Sequence, residues 1–113
     1  MNKKWNRIGD VPVIGAGTYA NNKTCGVSAT GWGEFFIRNV VAYDISAMME
    51  YQNKTLEEAA KISIFDKVGK MGATGGVIGI DKNGSVMMEF NSPGMYRGYK
   101  TQNSDYIIKM FKN

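Results

Sequence analysis

Two short stretches carry the residue types that chemistry would need. In Asn6-Arg7-Ile8-Gly9-Asp10-Val11-Pro12, opposite charges bracket a glycine just ahead of a run of small residues. Arginine grips a carboxylate in a bidentate fork, and aspartate accepts from an ammonium group. Side by side, Arg7 and Asp10 could hold the two charged ends of an α-amino acid. Read plainly, the pair is a loop ion pair, or a turn whose amides Asp10 satisfies. In the second stretch, Thr30-Gly31-Trp32-Gly33-Glu34, a strand ends and a helix begins. Unpaired N–H groups and the positive end of a helix suit an anion or a developing oxyanion, and the Thr30 hydroxyl would add a donor. The plain alternative is that Thr30 caps the helix and the glycines permit a tight turn. The residues alone leave both pairs of readings open.

The elements that must position these groups follow from pattern. Val11 to Ala20, rich in glycine and small residues, reads as a strand, and Asn21-Asn22-Lys23 as a turn. Thr24 to Thr30 reads as a second strand antiparallel to the first. From Glu34 to about Tyr51, Ile37, Val40, Val41, Ile45, Met48 and Met49 keep a helical period, which predicts one long helix apolar round most of its circumference. Thr55-Leu56-Glu57-Glu58 has the form of a capping box, with Thr55 at the N-cap. The helix it opens is expected to end near Gly69 or Gly72. Val77–Ile80 and Ser85–Phe90 read as strands joined through Asp81-Lys82-Asn83-Gly84, where Asn-Gly is the hairpin signal. After the turn Asn91-Ser92-Pro93-Gly94, Met95–Lys100 and Tyr106–Phe111 suit a last pair of strands. Strands at both ends with two helices between them predict an α+β fold, with helices layered on a mostly antiparallel sheet.

Composition narrows the classes further. The chain has 113 residues, 43% hydrophobic and 21% charged, which suits at most one globular domain. Its net charge of +4 comes from scattered lysines rather than a basic stripe, a pattern that predicts no nucleic-acid partner. No apolar run approaches the roughly 18 residues a membrane helix needs, so no membrane partner is expected. The single cysteine, Cys25, permits no internal disulfide and fits a reducing, cytoplasmic setting. Two glycosylation acceptor patterns, at Asn22 and Asn53, read as chance matches. Gly75-Gly76 is not a phosphate loop, because no Gly-Lys-Ser/Thr follows. Met48, Met49, Met87 and Met88 read most simply as core filler. There is no histidine, which excludes Ser-His and Cys-His pairs and histidine metal sites within this chain. Neither a metal nor a cofactor is expected.

Taken in order, these stretches resemble the plant-type L-asparaginase and isoaspartyl peptidase family. The resemblance runs through Asn2–Pro12, Gly15-Ala16-Gly17-Thr18-Tyr19-Ala20-Asn21-Asn22, Ala29-Thr30-Gly31-Trp32-Gly33-Glu34, the strand Gly75–Asp81, and Asn91 through Gly94-Met95-Tyr96-Arg97. It covers nearly the whole chain. It implies an N-terminal-nucleophile hydrolase with a four-layer αββα sandwich, in which an N-terminal threonine attacks and its own α-amine serves as base. Such chemistry needs no histidine. Carried over, Arg7 resembles the residue that binds the substrate α-carboxylate, and Asp10 the one that binds the α-ammonium. Thr30 and Gly31 resemble the oxyanion pair, through a hydroxyl and a backbone N–H, and Gly33 lies at the pocket edge. By the same resemblance residues 1–113 form a single incomplete domain, the C-terminal part of a β subunit. The nucleophile strand and the α subunit are then partners from outside the chain, and the chain alone is expected to be inactive and to self-associate. The substrate implied is L-asparagine or a β-aspartyl dipeptide. A different class stays open: a non-catalytic remnant, or a module that binds small amino acids through Arg7 and Asp10. Trp32 occupies a position where the family often has a small residue or histidine, and a tryptophan there would narrow the pocket.

Overall fold

The computed structural model describes residues 5–103 and 105–112. Four strands form one antiparallel sheet in the order β1-β2-β3-β4: Thr18–Ala20, Cys25–Gly31, Gly75–Asp81 and Val86–Phe90. Two more, β5 (Gly94–Tyr99) and β6 (Ile107–Phe111), form a separate antiparallel hairpin. Between β2 and β3 lie α1 (Gly33–Asn39), α2 (Val41–Gln52) and α3 (Leu56–Lys61). Beyond α3 the chain continues through a π-helical stretch, Ile62–Val68, and a short 3₁₀ turn, Gly69–Met71.

The helices cover one face of the sheet. Alternate residues Cys25, Val27 and Ala29 of β2, with Val77 of β3 and Met87 of β4, are buried against Phe36, Val41, Ile45, Leu56, Ala60, Ile64 and Val68. The opposite face keeps Ile78 and Ile80 about half exposed, at 47% and 55%. An antiparallel sheet with one wet face normally turns polar residues outward. Here Ile78 and Ile80 face outward beside the polar, exposed Ser28 and Thr30, so the outer face is apolar in part.

The α+β reading holds, and the capping box is present in full: Thr55 Oγ1 accepts from Glu58 N at 3.2 Å, and Thr55 N donates to Glu58 Oε2 at 3.0 Å. The Asn-Gly hairpin forms between β3 and β4, with Gly84 at φ +86° and the Asp81 carboxylate accepting from Asn83 N and Ser85 N. Met48 and Met87 are buried core residues.

Two elements differ from expectation. The long helix from Glu34 is two helices, because Val40 sits at φ 49°, ψ 48°. What makes the break tolerable lies elsewhere in the chain. The first-turn amides of α2 are taken by the loop before β1: Ala42 N donates to Ala16 O at 3.0 Å, and Tyr43 N to Gly15 O at 2.8 Å. The expected strand over Val11–Ala20 shrinks to Thr18–Ala20. Its first half is a series of turns, in which Val13 N reaches Asp10 O and both Ala16 N and Gly17 N reach Val13 O.

Candidate functional site

The residues singled out above fall into two neighbouring groups, on either side of Trp32. The first lies where the N-terminal loop meets the start of α1. Asp10 is only 3% exposed, and its Oδ2 has no hydrogen-bond partner among the described residues. Gly33 is what lets it sit there: a Cβ on Gly33 would lie 2.7 Å from Asp10 Oδ1 and 3.0 Å from Asp10 N. Burial pushes the Asp10 carboxyl above its ordinary value. A hydrogen bond with its own backbone amide and the nearby Arg7 guanidinium pull it back partway, while Glu34 adds to the rise. Arg7 makes its ion pair not with Asp10 but with Glu34, at 3.7 Å between Nη2 and Oε2. Both of those side chains are about half exposed, so the pair contributes at most about 1 kcal/mol and leaves Arg7 available. The simple loop ion pair between Arg7 and Asp10 is therefore not what forms. The buried carboxylate has instead an unfilled acceptor position beside a loosely held guanidinium.

The second group lies at the end of β2. Gly31 takes φ +143°, a backbone conformation that L side chains rarely adopt, and it pairs with Gly75 across the ladder. A Cβ on Gly31 would meet Gly75 Cα at 2.5 Å and Thr74 O at 2.6 Å. Two backbones thus approach as closely as glycine allows. Thr30, exposed, and Gly31 open onto a groove of about 600 Å³ walled by Trp32, Gly75 and Gly76 on one side and Met95 and Tyr96 of the β5–β6 hairpin on the other. Arg7, Asp10 and Gly33 are not among the residues lining that groove.

One sequence expectation is corrected here. Thr30 does not cap α1: the N-cap is Trp32, without a side-chain cap bond, and Thr30 is paired in β2 opposite Gly76. The helix that follows has 7 residues, not the eighteen or so expected, so a long macrodipole does not stand behind the corner. Any oxyanion stabilisation here must come from the Thr30 hydroxyl and local amides. Two residues gain a role that pattern did not supply. Glu34, read as a helix opener and a motif member, is the partner of Arg7. Asn91, read as a turn residue and a motif member, ties three backbone segments behind the corner. Among the described residues, no cluster of three or more histidine, cysteine, aspartate or glutamate side chains is placed to hold a metal, and no helix is long and apolar enough to cross a membrane.

The structure thus sets a buried, unsatisfied carboxylate beside an arginine, next to a glycine corner with an exposed threonine. The matching family model is that of the asparaginases, which covers residues 1–108, and the chain belongs to this family. Among curated relatives, the isoaspartyl peptidase of Salmonella typhimurium is 48% identical over 98 residues, covering 87% of this chain and 31% of that protein. The isoaspartyl peptidase of Escherichia coli is likewise 48% identical over 98 residues, with 87% and 30% covered. The chain therefore spans less than a third of the length of these relatives.

Proposed function

We propose that this chain supplies the substrate clamp and the oxyanion corner of an amidohydrolase that cleaves the side-chain amide of L-asparagine or a β-aspartyl peptide bond. The observation that carries the reading is Asp10: a carboxylate 3% exposed, with one oxygen unpartnered, beside an arginine held only by a 3.7 Å contact. Native proteins rarely bury such an oxygen unsatisfied, and a substrate ammonium would satisfy it. In this scheme Asp10 takes the α-ammonium and Arg7 turns from Glu34 to the α-carboxylate. Gly33 leaves the room that Asp10 needs.

The scissile side-chain carbonyl then lies toward Thr30 and Gly31. As a threonine nucleophile attacks the carbonyl carbon, the carbonyl oxygen gains charge. The Thr30 hydroxyl and the Gly31 N–H donate to it, an interaction stronger in the transition state than in the ground state. The amine or ammonia leaves, and water attacks the acyl-enzyme to release aspartate and free the threonine. In this scheme a segment outside these 113 residues supplies the nucleophile, a reading supported by the family resemblance and by the greater length of the relatives. The partly apolar outer face of the sheet, with Ile78 and Ile80, would meet a second sheet in the four-layer sandwich, and left bare it favours self-association.

Calorimetry with L-aspartate tests the clamp. The chain is expected to bind, and Arg7→Ala and Asp10→Ala are each expected to abolish the heat. In the full-length protein, Thr30→Ala should lower kcat on a β-aspartyl dipeptide by about a hundredfold to a thousandfold. Binding without turnover in the full-length protein would favour an amino-acid-binding module instead. No binding at millimolar L-aspartate would end the clamp reading.

A further inference from the structure

The oxyanion corner depends on a glycine contact that neither Thr30 nor Gly31 makes alone. Gly31 is held by Gly75 and Thr74: it pairs with Gly75 in the ladder, and the next amide, Trp32 N, donates to Thr74 O at 3.2 Å. The position of the corner is therefore tied to that of residues 73–75, which the start of β3 and a backbone bond from Ala73 N to Val68 O at 3.3 Å hold only in part.

One side chain adds three further bonds to this segment and its neighbour. Asn91 Oδ1 accepts from Gly75 N at 2.8 Å, and Asn91 Nδ2 donates to Ala73 O at 3.0 Å and to Ile64 O at 3.2 Å. Its own backbone N–H donates to Gly75 O at 3.1 Å. The carboxamide thus ties three segments: the end of β4, the start of β3, and the π-helical stretch, where Ile64 O also accepts the backbone amide of Gly69. A carboxamide is the side chain that offers one acceptor and two donors on a single plane. Aspartate has the same shape but would turn its second oxygen toward two carbonyls.

We propose that Asn91 is a positioning residue for the Thr30–Gly31 corner, holding the Ala73–Gly75 backbone against which that corner is set. The role rests on the hydrolase reading above only for its kinetic consequence. Asn91 touches no substrate in that scheme. Its loss should displace donors that matter most in the transition state.

The experiment uses the full-length protein with Asn91→Asp and Asn91→Ser, the second keeping a small polar group should the first fold poorly. Two readouts are taken on each: kcat and KM on a β-aspartyl dipeptide, and hydrogen exchange of the Trp32 amide. The expected result is a fall in kcat of about a hundredfold, the scale of a misplacement of about 1 Å, with KM changed less than about twofold. Exchange at Trp32 should quicken at least about tenfold while amides in α2 keep their protection. A purely structural asparagine would instead lower thermal stability and loosen all amides together, with kcat unchanged at temperatures well below the melt. That result, or unaltered Trp32 exchange in both variants, would overturn the proposal. If the wild-type protein hydrolyses neither substrate, the hydrolase reading fails by itself, and Trp32 exchange still decides whether Asn91 positions the corner.

Discussion

Replacing Gly33 by alanine should damage the clamp without touching either of its charges. The added Cβ would lie 2.7 Å from Asp10 Oδ1, 3.0 Å from Asp10 N and 3.2 Å from Asp10 Cβ. A rotation of the Asp10 side chain relieves only the first of these, because the amide is backbone, so the loop itself must move. Overpacking of this kind costs about 1–3 kcal/mol. Against it, alanine improves on glycine within a helix by up to about 1 kcal/mol, and Gly33 is the first residue of α1. The net loss of stability should therefore be modest, roughly 0–3 kcal/mol. Binding should suffer more. A hydrogen bond to a charged group is worth about 1.5–3 kcal/mol, and a carboxylate moved off its seat forfeits much of it. At 1.4 kcal/mol per factor of ten, L-aspartate should bind roughly 10- to 150-fold more weakly. Calorimetry measures the affinity and a thermal melt the stability. Gly9→Ala is the matched control, in the same loop, since a Cβ there meets nothing within 4 Å. It should leave both measurements as they are. Wild-type affinity in Gly33→Ala, or equal losses in the two variants, would refute the claim that Gly33 seats Asp10.

Other expectations follow from the same coordinates. The raised Asp10 pKa means that its neutral form is favoured in the folded state. Its contribution to stability is thus fully present below the ordinary value of 3.8 and is lost as pH rises through the folded value. Asp10→Asn should accordingly be more stable than wild type at pH 7, by about 1–3 kcal/mol, and paired urea titrations should show that advantage shrinking as pH falls. A constant gap across pH would mean that Asp10 pays no desolvation cost. Thr55→Ala removes the capping box and should cost about 1 kcal/mol, seen as a lower urea midpoint with unchanged slope. Val40→Asn should raise stability by about 1 kcal/mol, because a β-branched residue at φ 49° is replaced by one that tolerates the left-handed region. A lower melting temperature in Val40→Asn would show that the packing of Val40 outweighs its strain.

Features whose cause is local were legible in the sequence. The capping box at Thr55 and Glu58, the Asn-Gly hairpin at Asn83-Gly84 and the strand read over Thr24–Thr30 each need only neighbours a few residues away, and each is present, the strand as Cys25–Gly31. The helix through Ile37, Val40 and Val41 was misjudged in one respect, because periodicity reports which face is apolar and not where the backbone turns. The turn at Val40 is supported by carbonyls of Gly15 and Ala16, more than twenty residues away in the chain. The strand expected from Val11 gives way before Thr18 to turns between Asp10 and Gly17.

The candidate site divides in the same way. Residue type drew attention to Arg7, Asp10, Thr30 and Gly31 but left a plain loop or cap reading open for each, and it was the order of motifs shared with the family that gave these residues and Gly33 their expected roles. Only the tertiary structure determined how they are grouped. It buried Asp10 with an oxygen unpartnered, gave Arg7 to Glu34 rather than to Asp10, withdrew Thr30 from its supposed cap, and placed the Asn91 carboxamide behind the glycine corner. The physical reason is that side-chain chemistry is a property of each residue, whereas desolvation and hydrogen-bond partnership are properties of what folding brings against it.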